Sequence, residues 1–109
     1  MAHEEMKYRV SVAPGAYDRM YEHFDFLAQV NEKAAERLLQ AMLEDLRSLE
    51  VSIAPSMPYE RPYTPVGKYR YLLCANRYRI VFMVEGNKVF VDDIQDCRED
   101  DDKSILPEE

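Results

Sequence analysis

The residues best suited to chemistry in this chain are basic and aromatic, and they are crowded together. The stretch KYRYLLCANRYRIVF, residues 68–82, carries Lys68, Arg70, Arg77 and Arg79 beside Tyr69, Tyr71, Tyr78 and Phe82, with no acidic residue. Arg61 lies shortly before it and Lys88 shortly after. A guanidinium is a planar fork that matches phosphate oxygens, and aromatic rings stack on bases or on a partner's side chains. The pattern therefore fits a surface that holds phosphate. The plainer alternative is a solvated strand pair whose charges meet Glu85, Asp92 or Asp93 across the sheet, with most of the rings in the core.

Other reactive types are sparse. His3 sits near the N-terminus, and His23 falls on a predicted helix as a surface or boundary residue. Cys74 and Cys97 lack zinc-ligand spacing and are too few for a disulfide framework. They read as reduced thiols of a cytoplasmic protein. The 109 residues suffice for one domain, and no apolar run approaches the ~20 residues of a membrane span. There is also no basic-then-apolar leader. The net charge of −7 argues against indiscriminate nucleic-acid binding, but the charge is uneven. Residues 61–88 hold six basic side chains against Glu85 alone, between flanks in which acidic residues dominate.

The elements that must position these residues follow from periodicity. Lys7 to Val12 alternates polar and apolar residues, as a half-buried strand does, and Pro14 and Gly15 break it. Tyr17, Met20, Tyr21, Phe24, Leu27 and Ala28 then form a helical stripe. Asn31 stops this helix and caps a second, striped by Ala35, Leu38, Leu39, Met42, Leu46 and Leu49. So short a joint implies an antiparallel helical hairpin. Residues 51–67 hold four of the six prolines and read as a stiff connection with room for a short edge strand. Three strands follow: Tyr69–Cys74, Arg77–Val84 and Lys88 to about Ile94, separated by turns at Ala75–Asn76 and at EGN.

The fold class is therefore α+β, a helical hairpin packed on one face of a four-strand sheet. The other face is left for something else to cover. Residues 1–98 form the single domain. Residues 99–109, EDDDKSILPEE, read as an acidic, flexible tail. Its carboxylates either remain solvated or fold back on the basic strands as a phosphate mimic.

The ordered set YRVSVAPGAYDRMYEHFDFL, AAERLLQAMLEDLRSLE and GKYRYLLCANRYRIVFMVEGNKVFVDDIQDCRED resembles the RelE/ParE superfamily, the toxins of type II toxin–antitoxin pairs, over roughly residues 6–100. The resemblance implies a cognate antitoxin as partner, no membrane, and operator DNA only through the antitoxin. It also implies one of two actions. RelE-like members are endoribonucleases that cut messenger RNA on the ribosome without metal or cofactor. ParE-like members act on DNA gyrase.

A metal-free ribonuclease must activate a ribose hydroxyl, stabilise phosphorane charge and protonate a leaving oxygen. Carried onto this chain, the family's basic positions make Arg70, Arg79 and Arg98 the catalytic phosphate holders, with Arg61, Lys68 and Arg77 in support. The family commonly places a Tyr or His beyond the terminal arginine. Here Glu99, Asp100, Asp101 and Asp102 follow Arg98, and no Tyr or His occurs after Tyr78. A ribonuclease on this chain would use Asp96 or Glu99, or arginines alone; Cys97 reads better as a strand-end thiol. The remaining alternative is a non-toxic module that keeps the antitoxin-binding surface and regulates its operon.

Overall fold

The alternation in the middle strand of the sheet decides how the chain folds. In the computed structural model, which describes residues 7–99 and 101–107 (for Asp101 the backbone only), the strands are β1 (Arg9–Val12), β2 (Met57–Tyr59), β3 (Tyr69–Cys74), β4 (Tyr78–Glu85) and β5 (Lys88–Asp96). The helices are α1 (Pro14–Ala28) and α2 (Glu32–Ser48), with a single 3-10 turn at Asp101–Lys103. Tyr78, Ile80 and Phe82 of β4 are buried in one cluster with Ala16 and Met20 of α1 and Leu38, Met42 and Leu46 of α2. Residues two apart on a strand share a face, so this half of β4 meets the helices and the other half faces away.

Each helix starts where its local chemistry allows. Pro14 occupies the first turn of α1, where its missing N–H is no loss. Asn31 caps α2, its side-chain oxygen accepting from the Ala34 amide at 2.9 Å. α1 is rotated from the expected stripe. It buries Ala16, Arg19, Met20 and His23, while Tyr17 and Tyr21 remain 43% and 48% exposed. The small Ala16 lets the helix approach the sheet closely, and Arg19 is drawn inward by a carboxylate described below. His23 is thereby buried, not a surface residue.

The sheet has five strands, not four, in the order β1-β5-β4-β3-β2. β1 runs parallel to β5 and every other pair is antiparallel. The fifth strand comes from the proline-rich connection: Met57 pairs with Tyr71, Pro58 with Arg70 and Tyr59 with Tyr69. Proline has no N–H to donate to a ladder, and at the sheet's edge that loss is tolerated. No helix among the described residues is long and apolar enough to cross a membrane.

An irregularity in β5 sets up everything on the far face. Phe82 pairs with Val91 but Val81 pairs with Asp93, so Asp92 is an extra residue in the ladder. The insertion keeps Val89, Val91 and Ile94 all in the helix-side core. It also turns Asp93 and Gln95 to the side of their partners Val81 and Arg79.

The face turned from the helices is covered in part by the chain itself. Tyr59, Tyr69 and Val81 are buried there with Leu106, rimmed by Tyr63, Tyr71 and Met83. The segment expected as a frayed acidic tail is seated as far as Leu106, since that leucine finds an apolar wall. His3, Asp100, Glu108 and Glu109 lie outside the described residues.

The β3–β4 turn carries backbone strain. Ala75 has φ +51° and Asn76 φ +59°. Asparagine visits this left-handed region readily, whereas alanine's Cβ crowds the following carbonyl. Ala75→Gly is expected to stabilise the fold by about 0.5–1 kcal/mol, read as a higher urea midpoint at unchanged slope.

Candidate functional site

The basic residues singled out in the sequence do not converge. Arg70 sits opposite Phe82 and so points to the helix side of the sheet. There it donates from Nε to Ser56 Oγ and from NH2 to the Ser56 carbonyl, each at 2.7 Å. Arg79 sits opposite Leu73 and Gln95, on the far face. The thickness of the sheet separates the two, so they cannot clasp one phosphate between them.

Arg77 and Arg98 converge, but on a carboxylate of their own. Asp96, the last residue of β5, accepts from Arg77 Nε at 3.2 Å and NH2 at 3.0 Å. It also accepts from the Arg98 amide at 2.9 Å and, more weakly, from Arg98 NH2 at 3.4 Å. Arg77 rests 5.2 Å above the Tyr78 ring, while the Arg98 side chain stays 63% exposed. Asp96 thus offsets two of the arginines expected to hold phosphate.

The other cations lie over tyrosines of the far face. Arg61 is 4.7 Å from the Tyr59 ring centroid and Arg79 is 6.0 Å from it; Lys68 is 5.2 Å from that of Tyr69. Arg61 NH1 also donates to the Glu60 carbonyl. The Arg79 Nε is buried without a hydrogen-bond partner among the described residues. Beneath these cations the phenols are linked. Tyr59 OH donates to Gln95 Oε1 at 3.0 Å and lies 2.6 Å from Tyr63 OH, and Tyr69 OH donates to Asp92 at 3.2 Å. Burial, reinforced by Tyr63, holds the Tyr59 phenol well above its ordinary range. Burial also pushes the Tyr69 phenol up to about 12, helped by the Asp92 charge. Desolvation raises the Asp92 carboxyl in turn, although the Tyr69 bond and Lys68 oppose it.

A second arrangement occupies the cleft between α1 and the end of β5, with a volume of ≈ 690 Å³. Arg19, Glu22, His23, Asp96, Arg98 and Glu99 line it. Arg19 is its anchor, donating from Nε to Asp93 Oδ1 and from NH1 to Glu99 Oε2, both at 3.1 Å. Burial would lower the arginine's pKa, but Asp93 and then Glu99 outweigh it, and the net shift is upward. His23 Nε2 donates to the Ile94 carbonyl at 2.8 Å and stands 3.7 Å from Glu99 Oε1. Glu99 is held further by the Asp96 amide at 3.1 Å.

The cleft therefore gathers His23 with Asp96 and Glu99, the carboxyls that a ribonuclease on this chain would use, and ties each to an internal partner. Cys74 is likewise no nucleophile. It is buried, and desolvation, reinforced by Asp45, pushes its thiol up to about 12. Of the side chains that organise both arrangements, Arg19 and Gln95 escaped the sequence reading, and Asp93 entered it only as a cross-strand partner for the basic residues. One signal was available. Arg19 and His23, with Ala16 and Phe26, recur at helical spacing, a polar-rich line beside the expected apolar stripe.

No protein-family model matches this chain, and no curated protein matches it. Among solved structures, it superposes on a chain of the chromosomal ParDE TA system from P. aeruginosa with a TM-score of 0.67. The match covers 84% of this chain and 98% of the other at 16% identity, a likeness of fold.

Two outcomes follow from the buried polar groups. Arg19→Met leaves Asp93 a buried carboxylate without its cation, and should cost about 3–5 kcal/mol in urea unfolding. Adding Asp93→Asn to that variant should recover part of the loss. The second outcome concerns alkali. A phenol whose folded pKa is raised contributes stability that is fully present below about pH 10 and lost as pH rises through the folded value. For Tyr69 that window runs from about 10 to about 12. Urea unfolding at stepped pH should show stability falling across this window, with Tyr69→Phe flattening that loss.

Proposed function

We propose that this chain, which has the fold of the RelE/ParE toxins, is the toxin component of a two-gene toxin–antitoxin module. A cognate antitoxin protein neutralises it, and it reaches operator DNA only through that antitoxin. We further propose that it acts by protein contact in the ParE manner, on DNA gyrase, and not by cutting messenger RNA. The similarity to a chain of a ParDE system supports the first part. One observation carries the second: Arg70 and Arg79 point to opposite faces of the sheet, while Arg77 and Arg98 are engaged by Asp96. A phosphorane needs its positive charges focused on one point, and here they are dispersed. The groups able to move a proton near Arg98 are also committed, His23 to a main-chain carbonyl and Glu99 to Arg19.

The ribonuclease reading keeps one supporting observation. Arg79 and Lys68 share the far face with a cluster of tyrosines, and Arg79 Nε is unpartnered among the described residues. In that reading the bound RNA would lie over the half-buried Tyr71, beside Lys68 and Arg79, with messenger RNA on the ribosome as the partner.

Induced expression in bacteria, with and without a co-expressed neighbouring gene, separates these actions. The expected result is growth arrest with DNA damage and filamentation, relieved by the antitoxin and preserved in an Arg79→Ala/Arg98→Ala variant. Arrest with rapid messenger loss, abolished in that variant, would establish the ribonuclease instead. A folded chain that binds the antitoxin and causes no arrest would leave only the regulatory module.

A further inference from the structure

The last described residues enter the fold by an unusual route. Ser104 Oγ accepts from Gln95 Nε2 at 3.3 Å and from the Leu106 amide at 3.2 Å. The Ile105 amide donates to Asp93 Oδ2 at 3.1 Å. Leu106 is 5% exposed, and packs in the cluster of Tyr59, Tyr69 and Val81. Ile105 lies against the start of α1, where a Cβ on Gly15 would come within 3.1 Å of its Cδ1. Yet Ser104–Leu106 belongs to no strand or helix. Among the described residues its hydrogen bonds all involve side chains, and one leucine fills the apolar wall.

The surface under this segment has its own chemistry. Asp93 is fully buried and accepts from Arg19 Nε, Gln95 Nε2 and the Ile105 amide. Without the segment it would keep two of these donors and present one unfilled acceptor beside Tyr59, Tyr69 and Val81. A carboxylate lone pair next to an apolar wall selects a main-chain N–H followed by an aliphatic side chain. Gln95 adds an amide donor for a hydroxyl two residues before that side chain.

We propose that the far face of the sheet carries a peptide socket, that Ser104–Leu106 is its displaceable plug in cis, and that a protein partner enters it with an extended segment of the same pattern, a hydroxyl residue, any residue, then an aliphatic one. The plug keeps the socket's apolar wall from water until such a segment competes for it. Bound in trans, the partner's segment takes over the donation to Asp93 and places its aliphatic side chain where Leu106 lay. The inference concerns the binding surface alone and stands whichever target the chain acts on.

Native-state hydrogen exchange on the full chain is the first test. A plug opens locally, so the Ile105 amide should exchange at least ~100-fold faster than that of Ile80, with little denaturant dependence. Exchange of both amides only through global unfolding would overturn the proposal, because the segment would then be an integral part of the core. The second test expels the plug with Leu106→Asp in the full chain and titrates in a synthetic peptide of residues 103–107, KSILP. Saturable binding is expected, weakened at least ~10-fold when the peptide carries Leu106→Ala. A folded Leu106→Asp chain that fails to bind the peptide would overturn the socket, and so would a Leu106→Asp chain that cannot fold.

Discussion

The buried pair of Arg19 and Asp93 is the constraint around which the rest of the molecule is arranged. It joins the first helix to the last strand, elements separated by most of the chain. A carboxylate wholly out of water is costly unless it is paired and its remaining lone pairs are used. Here each remaining demand recruits another part of the fold. Gln95 serves Asp93 from the same strand, the Ile105 amide serves it from the C-terminal segment, and Arg19 spends a second nitrogen on Glu99. Glu99 then steadies the end of β5 through the Asp96 amide. Removing the arginine would disturb the cleft and the far face together.

The pair exists because β5 contains one residue too many. By simple alternation Val89 and Val91 would carry Asp93 with them into the helix-side core and turn Ile94 out. The extra residue, Asp92, reverses the phase, which returns Ile94 to the core and delivers Asp93 and Gln95 to the opposite face. Polar floor and apolar wall then lie side by side on that face, with Tyr59 tied to Gln95 and Tyr69 to Asp92. Both the proposed action by protein contact and the proposed peptide socket rest on this surface.

Much of the framework was legible in the chain. The 3.6-residue stripe of α2, the Asn31 cap and the alternation of β4 each express a local rule that packing then obeys. The strands on either side of Ala75–Asn76 fall where the turn chemistry places them. The fifth strand was harder to see, because three residues around Pro58 have no period of their own and are held by β3. The outward turn of Tyr17 and Tyr21 was hidden for another reason. An arginine inside the stripe is admissible only if a buried carboxylate waits for it, and that carboxylate lies 74 residues away.

Arg70 and Arg79 show where the division falls. Their side chains, and the basic island they belong to, are properties of the sequence, as are the hairpin between them and the acidic residues beyond it. Whether they act together depends on register. Arg70 stands opposite Phe82 and Arg79 opposite Leu73, so the pairing of two strands sends one to each face. The same pairing, with the bulge in β5, determines that Asp96 meets Arg77 and Arg98 and that Leu106 of the acidic segment lies in an apolar wall. Composition and periodicity therefore determined the elements and the charge they carry. Only the tertiary structure decided which charges meet, because a side chain's partner is set by the face to which the whole sheet turns it.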